Sequence, residues 1–201
     1  MLCAGMWPSF VALVGALLFW PTSSSQLGGG TWTTCLIVSD EVLCYGAFEF
    51  HMPGRFTSIS VAGWGSQIEQ AVCGIKDDES LACVSYKTPL NPPSGHYSTI
   101  PCARNFCCAL RKPLLDIACF GYTAADVQFD VALPRGSFAQ LAMGSAHGCA
   151  LNATGHAFCF GFANSYAPNL FSATPRQSQF RLLAPGSAWT CGILLSGQLR
   201  C

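Results

Sequence analysis

The sequence predicts an all-β fold assembled from about five small, similar units, and three observations lead there. Cysteines recur as pairs with eight to ten residues between them: Cys35/Cys44, Cys73/Cys83, Cys108/Cys119, Cys149/Cys159 and Cys191/Cys201. The first members of these pairs follow one another at 38, 35, 41 and 42 residues, a period of the kind found in propellers and solenoids. Composition agrees, since 51% of the residues are hydrophobic and 20 glycines and 12 prolines break the apolar runs into short pieces, as strands and turns require.

The chain opens on a segment of a different kind. Phe10 to Trp20 reads FVALVGALLFW, is uncharged, and is followed by Pro21 and the small polar run Thr22-Ser23-Ser24-Ser25. Residues 1–25 therefore read as a secretory signal peptide cut before Gln26. The n-region lacks Lys and Arg, a departure from the usual pattern. An uncleaved anchor over residues 2–21 is the alternative, because about twenty apolar residues span a bilayer; Pro8 and the small-residue tail favour cleavage. No later stretch is apolar enough to span. Without Cys3, twelve of the 13 cysteines remain, an even number suited to disulfides in an oxidising compartment. The Cys-x2-Cys knuckles typical of zinc sites are missing.

Residues 26–201 form the repeat domain, with units near 28–55, 56–90, 97–130, 138–175 and 180–201. Each cysteine pair brackets a turn-rich centre: Ser39-Asp40-Glu41, Lys76-Asp77-Asp78-Glu79, Asn152-Ala153-Thr154-Gly155 and Ser196-Gly197. Polar residues and glycine at such a centre predict a β-hairpin, whose two cysteines face each other across adjacent strands at bridging distance. Closing a loop of about ten residues contributes about 2–3 kcal/mol in the chain-entropy account. Ahead of the hairpins stand an aromatic and, three residues on, an aliphatic residue: Phe56/Ile59, Tyr97/Ile100, Phe138/Leu141 and Phe180/Leu183. A small residue follows in each unit, Gly30, Gly63, Ala103, Gly144 and Gly186, which predicts a close backbone approach or a left-handed turn. A hairpin unit of this length with aromatic and glycine punctuation predicts a partial or small β-propeller of about five disulfide-stapled blades.

In Cys108-Ala109-Leu110 with Cys119-Phe120-Gly121, Cys149-Ala150-Leu151 with Cys159-Phe160-Gly161, Cys73-Gly74-Ile75 and Cys191-Gly192-Ile193, the units resemble regulator-of-chromosome-condensation-type repeats. They resemble in particular the repeats in ectodomains of plant Crinkly-type receptor-like serine/threonine kinases, over residues 28–201. Tyr or Phe stands where that family usually has Trp before the closing glycine. The resemblance implies seven repeats, then a cysteine-rich module, a membrane helix and a cytoplasmic kinase. Five repeats are read here, and the sequence stops at Cys201 within the motif, so the array is expected to be the front part of something longer; closure of five blades is the alternative.

Catalytic chemistry finds no foothold. The H-R-D, D-F-G and V-A-I-K motifs of kinases are missing, and Gly28-Gly29-Gly30 lacks a phosphate-binding lysine, so it reads as a linker or turn. Ser145 in Gly144-Ser145-Ala146-His147-Gly148 is out of register for a nucleophile elbow, and the next unit exchanges His147 for Trp189, as a packing position would. His51, His96 and His156 share no spacing with a carboxylate or cysteine. Asp77, Asp78 and Glu79 sit at a hairpin tip and lack the alternating oxygen ligands of a calcium loop. Ten basic residues balance ten acidic ones, leaving no basic run for nucleic acid. No cofactor, metal or catalytic residue is expected. Cys102 and Cys107 stand outside the five pairs. Register matches Cys108 to Cys149 and hence to Cys119, leaving Cys102 and Cys107 for a sixth bridge, while exchange of Cys107 with Cys108 stays open. Asn152-Ala153-Thr154 is a glycosylation sequon on a turn. The proline-bearing connections 87–96 and 165–179 suit recognition residues on a rigid scaffold or serve as spacers.

By resemblance, the chain is expected to be the ligand-binding or interaction ectodomain of a receptor-like kinase, secreted or on the outer face of the plasma membrane. Its partner would be an extracellular peptide or protein, or another receptor ectodomain. The alternative is a free secreted propeller-repeat protein, lectin-like or an enzyme inhibitor. Intact-mass analysis of the secreted protein before and after reduction should count five or six disulfides; mostly free thiols would overturn the staple assignment and the export assignment together.

Overall fold

The computed structural model describes residues 27–29, 33–46, 49–63, 70–85, 90–104, 106–121, 132–161, 178–187 and 189–201. The expected signal segment over residues 1–25, Gly30, and residues 87–89 and 165–177 of the two connections lie outside them.

The described residues are all-β, and their strands form five antiparallel sheets. Blade 1 holds β1 (Leu27–Gly29), β2 (Thr33–Val38), β3 (Glu41–Gly46) and β4 (Phe50–Pro53), in that order. Blade 2 holds β5 (Phe56–Ala62), β6 (Ala71–Lys76) and β7 (Leu81–Ser85). Blade 3 holds β8 (Tyr97–Thr99), β9 (Phe106–Arg111) and β10 (Asp116–Gly121). Blade 4 holds β11 (Gln140–Met143), β12 (His147–Leu151) and β13 (Ala157–Gly161). Blade 5 holds β14 (Phe180–Pro185), β15 (Thr190–Leu194) and β16 (Leu199–Arg200). Strands adjacent in sequence are adjacent in each sheet, the arrangement of an up-and-down propeller blade.

The expectation of a linker at Gly28-Gly29-Gly30 needs correction. Leu27–Gly29 forms strand β1, with Gly28 opposite Cys35 and Gly29 opposite Thr34. Glycine serves there because blade 2 approaches closely: a Cβ on Gly28 would lie 3.1 Å from Cγ2 of Val61.

Turn chemistry sets the hairpins. Between β2 and β3 only Ser39 and Asp40 remain, with φ of 45° and 73°, the left-handed pair of a type I′ turn that matches strand twist. At Asn152, the side-chain Oδ1 accepts hydrogen bonds from the amides of Thr154 (3.1 Å) and His156 (2.9 Å), an Asx turn that lets the chain reverse. Register then follows. Cys35 stands opposite Cys44, Cys73 opposite Cys83, Cys108 opposite Cys119 and Cys149 opposite Cys159.

No blade has its own core. A three-stranded sheet buries a face only against a neighbour, and the buried side chains form four clusters, one at each junction. Cys35, Val42 and Met52 meet Phe56, Ile59 and Val72 between blades 1 and 2. Cys73 and Ile75 meet Tyr97, Ile100 and Cys107 between blades 2 and 3. Cys108 and Leu110 meet Phe138, Leu141 and Phe160 between blades 3 and 4. Cys149 and Leu151 meet Phe180 and Leu183 between blades 4 and 5. The aromatic and aliphatic residues repeated in the sequence are thus the side chains that each blade presents to the one before it.

A backbone latch accompanies each junction. The hairpin tip of one blade carries a residue of positive φ: Asp40 (73°), Glu79 (66°), Leu115 (56°) and Gly155 (82°). Its carbonyl accepts a hydrogen bond from the next blade's entry, donated by Gly54, Tyr97, Phe138 and Phe180 at 3.1, 2.9, 3.0 and 2.7 Å. Blade 5 repeats the tip at Gly197 (φ 87°), where an added Cβ would meet nothing within 4 Å; on Gly155 it would lie 2.7 Å from the Phe180 carbonyl. Alanine at either site bears the left-handed penalty of about 1–2 kcal/mol, and only at Gly155 does it also push against the next blade. Urea unfolding should therefore find Gly155→Ala more destabilising than Gly197→Ala by at least about 1 kcal/mol; equal losses would remove the latch from the account.

Candidate functional site

Two surfaces and one cluster of sulfurs collect the residues singled out in the sequence. The first surface is the hub, where the inner strands of the blades end side by side. Gly63, Ala103, Gly144 and Gly186 line a cavity of about 430 Å3 there, joined by Gly29 and Arg104. At Gly144 and Gly186 the repeated small residue answers a close approach between blades 4 and 5. A Cβ on Gly144 would collide with the Gly186 carbonyl and with the His147 ring, and one on Gly186 would lie 2.9 Å from Nε1 of Trp189. Gly63 instead needs its positive φ of 134°. Hydrogen bonds stitch the rim from blade to blade: the Cys102 amide donates to Oγ of Ser60 (3.0 Å), and Ser145 and Ser187 share a hydroxyl contact (3.3 Å).

The second surface is the far face of blade 5. Side chains alternate across a strand, and Ile193 stands opposite both Leu182 and Leu199. Trp189, Cys191, Ile193, Leu182 and Leu199 therefore share one face. In blade 4 the equivalent face carries His147, Cys149 and Leu151, all buried by blade 5. In blade 5, Trp189 is 62% exposed and Leu199 71%. The expectation that Trp189 occupies a packing position like that of His147 is thus corrected: the strand position is equivalent, but no described blade covers it.

His147 illustrates the packed version. It is 2% exposed, and its Nε2 lies 2.8 Å from Oγ1 of Thr190 in blade 5. Burial lowers its pKa below the ordinary value of 6.5, because a charged imidazolium would lose its hydration there.

The remaining polar candidates are spent on structure. Asp77 pairs with Arg55 (2.9 Å), Asp78 accepts hydrogen bonds from the Ser80 amide and hydroxyl, and Glu79 pairs with Lys112 of blade 3. The Ser80 bonds hold the Asp78 carboxyl below its usual pKa. His51 contacts Glu41, His96 contacts the Asp78 carbonyl, and His156 contacts Thr154. Among the described residues no catalytic constellation forms.

The six bridges are Cys35–Cys44, Cys73–Cys83, Cys102–Cys107, Cys108–Cys119, Cys149–Cys159 and Cys191–Cys201. Cys107 and Cys108 are neighbours on β9 and so point to opposite faces. Cys108 faces blade 4 beside Phe138, whereas Cys107 faces blade 2 and stands opposite Phe120 in its own sheet. Cys73, Cys102 and Cys107 gather with their sulfurs within 4.8 Å of one another. Each of these is already bonded to another sulfur, so the group offers no thiolate to a metal. Sequence reasoning missed this cluster, because 34 residues separate Cys73 from Cys107.

These features define a class: an all-β array of disulfide-stapled propeller blades without a kinase fold among the described residues. Known structures of this fold are similar over most of the chain. The Crinkly WD40 ectodomain of the Arabidopsis thaliana receptor kinase ACR4 is 21% identical, with TM-score 0.64, over 84% of this chain and 58% of that one. The entire ectodomain of the Physcomitrella patens receptor kinase CR4 is 20% identical, with TM-score 0.69, over 88% and 52%. Human WBSCR16 is 14% identical, with TM-score 0.59, over 88% and 59%. The chain thus spans little more than half the length of these structures. Residues 138–167 match the regulator of chromosome condensation (RCC1) repeat. No curated protein sequence matches.

The buried histidine has a pH consequence of definite sign. The unfolded chain protonates His147 near its ordinary pKa while the folded chain resists, so its stabilising contribution is complete above that value and is lost as pH falls through the depressed folded value. Between about pH 7.5 and 5, His147→Gln should lose less stability than the wild type does. Parallel losses in thermal melts across that range would remove this role.

Proposed function

We propose that the chain is an extracellular recognition module, working as the interaction ectodomain of a Crinkly-type receptor-like kinase works, with residues 1–25 serving as its signal peptide and residues 26–201 as the repeat domain. The observation that carries this reading is the combination of fold and bridging: an array similar in fold to two receptor-kinase ectodomains, in which every described cysteine is paired. Such pairing persists in oxidising compartments, and a scaffold of stapled blades suits the presentation of a binding surface. The partner is an extracellular peptide or protein, or another receptor ectodomain. Asn152 is the glycan acceptor in this reading, since it lies on a surface turn and Thr154 donates its hydroxyl to Asn152 Oδ1 at 2.8 Å.

The test is expression of the complete chain, tagged after Cys201, in plant cells. The tagged protein should reach the medium or cell surface oxidised, and endoglycosidase should shift its mobility in the wild type but not in Asn152→Gln. Purified protein should bind protoplast surfaces saturably, and protease treatment of those surfaces should abolish the binding. Retention inside the cell, or binding that never saturates, would overturn the reading.

A further inference from the structure

The two bridges at the junction of blades 2 and 3 touch. Sγ of Cys107, bonded to Cys102, lies 3.7 Å from Sγ of Cys73, bonded to Cys83. No other three sulfurs among the described residues gather this closely. The contact follows from the geometry above. The Cys73–Cys83 staple sits on the face of blade 2 that looks toward blade 3, and the Cys102–Cys107 bridge packs against it from the blade 3 side.

Access to the two bridges is unequal. Cys73 and Cys107 are fully buried, while Cys102 is half-buried and lines the hub cavity. A cavity of about 430 Å3 falls in the range that holds small molecules. Of the four bridged cysteines, Cys102 is the one that lines this cavity, and a thiol entering it comes nearer to Cys102 than to the fully buried Cys107 and Cys73.

We propose that the hub is a thiol-acceptor site, in which a small-molecule thiol adds to Cys102 and triggers exchange of the Cys73–Cys83 staple for a Cys73–Cys107 cross-link between blades 2 and 3. The steps balance as ordinary thiol–disulfide exchange. The thiol gives its proton to solvent, and its thiolate attacks Sγ of Cys102. A mixed disulfide forms on Cys102, the Cys102–Cys107 bond breaks, and Cys107 leaves as a thiolate. That thiolate attacks Sγ of Cys73; the Cys73–Cys107 bond forms, the Cys73–Cys83 bond breaks, and Cys83 takes up a proton. One external thiol is consumed, one protein thiol appears, and the number of disulfide bonds is unchanged. The second step needs the sulfurs to close from 3.7 Å to about 2.05 Å, a bond length between side chains already in contact. The product replaces a bond within blade 2 by one between blades, and leaves a thiol on half-buried Cys83.

The test uses the oxidised full chain treated with reduced glutathione, quenched with acid, alkylated and mapped by peptide mass spectrometry. Expected are glutathione on Cys102, alkylation of Cys83, loss of the Cys73–Cys83 peptide pair and appearance of a Cys73–Cys107 pair. Glutathione on Cys102 with Cys107 alkylated and Cys73–Cys83 intact would overturn the relay. No reaction at Cys102 under conditions that open the exposed Cys191–Cys201 bridge would overturn the acceptor site. Cys102→Ser supplies a second arm, because it leaves Cys107 free without any added thiol. Alkylation of the variant should then divide between Cys107 and Cys83, and alkylation of Cys107 alone counts against the exchange. If Cys102→Ser is not secreted, the wild-type mapping decides.

Discussion

The junction between consecutive blades is the constraint on which the rest of the molecule depends. A three-stranded sheet cannot exclude water from either face by itself, so each unit's apolar residues become a core only when a second sheet covers them. The latch from the left-handed hairpin tip to the next blade's entry strand fixes that covering in register. It ties a turn to an inner strand, and thereby brings the aromatic residue behind the latch onto the staple of the preceding blade. Glu79 and Leu115 accept a positive φ at this place although neither is glycine. Their strain is sustained because the carbonyl it directs is bonded across the junction.

The staples and the hub follow from the same geometry. Each hairpin disulfide lies on the face of its blade that looks toward the next, so four of them are packed under a neighbour. Cys191–Cys201 carries the pattern onto the open face of blade 5. At the other end of the inner strands of blades 2 to 5, Gly63, Ala103, Gly144 and Gly186 come together, and the backbones of Gly144 and Gly186 approach too closely for a side chain on Gly144. One cavity therefore gathers residues that are spread evenly through the sequence, and half-buried Cys102 is among those that line it.

Much of this was legible in the sequence because it is local. Hairpins depend on period-two alternation and on turn residues a few positions apart, so the five cysteine pairs announced both strands and register. Repetition added the fold class, since a unit of about forty residues with one hairpin must stack to bury its core. The small residues ahead of the hairpins were also visible, and four of them, Gly63, Ala103, Gly144 and Gly186, meet at the hub. Other features were not legible. Gly28 and Gly29 lack every side-chain signal of a strand, and form one by pairing with Cys35 and Thr34 of β2, where Gly28 alone of the two lies close against Val61 of blade 2. Trp189 and His147 occupy the same position in consecutive units, yet one is exposed and the other buried, because burial is conferred by the following blade.

By itself the sequence determined an all-β, repeated, disulfide-stapled chain without a catalytic motif, because spacing and turn chemistry are properties of neighbouring residues. Only the tertiary structure decided which faces meet. It set Cys107 against Cys73 across a junction, placed Cys102 at the hub and left Trp189 and Leu199 of blade 5 exposed among the described residues. Those outcomes depend on which side of a strand each residue faces once two sheets have docked, and contacts between distant units are absent from any one of them.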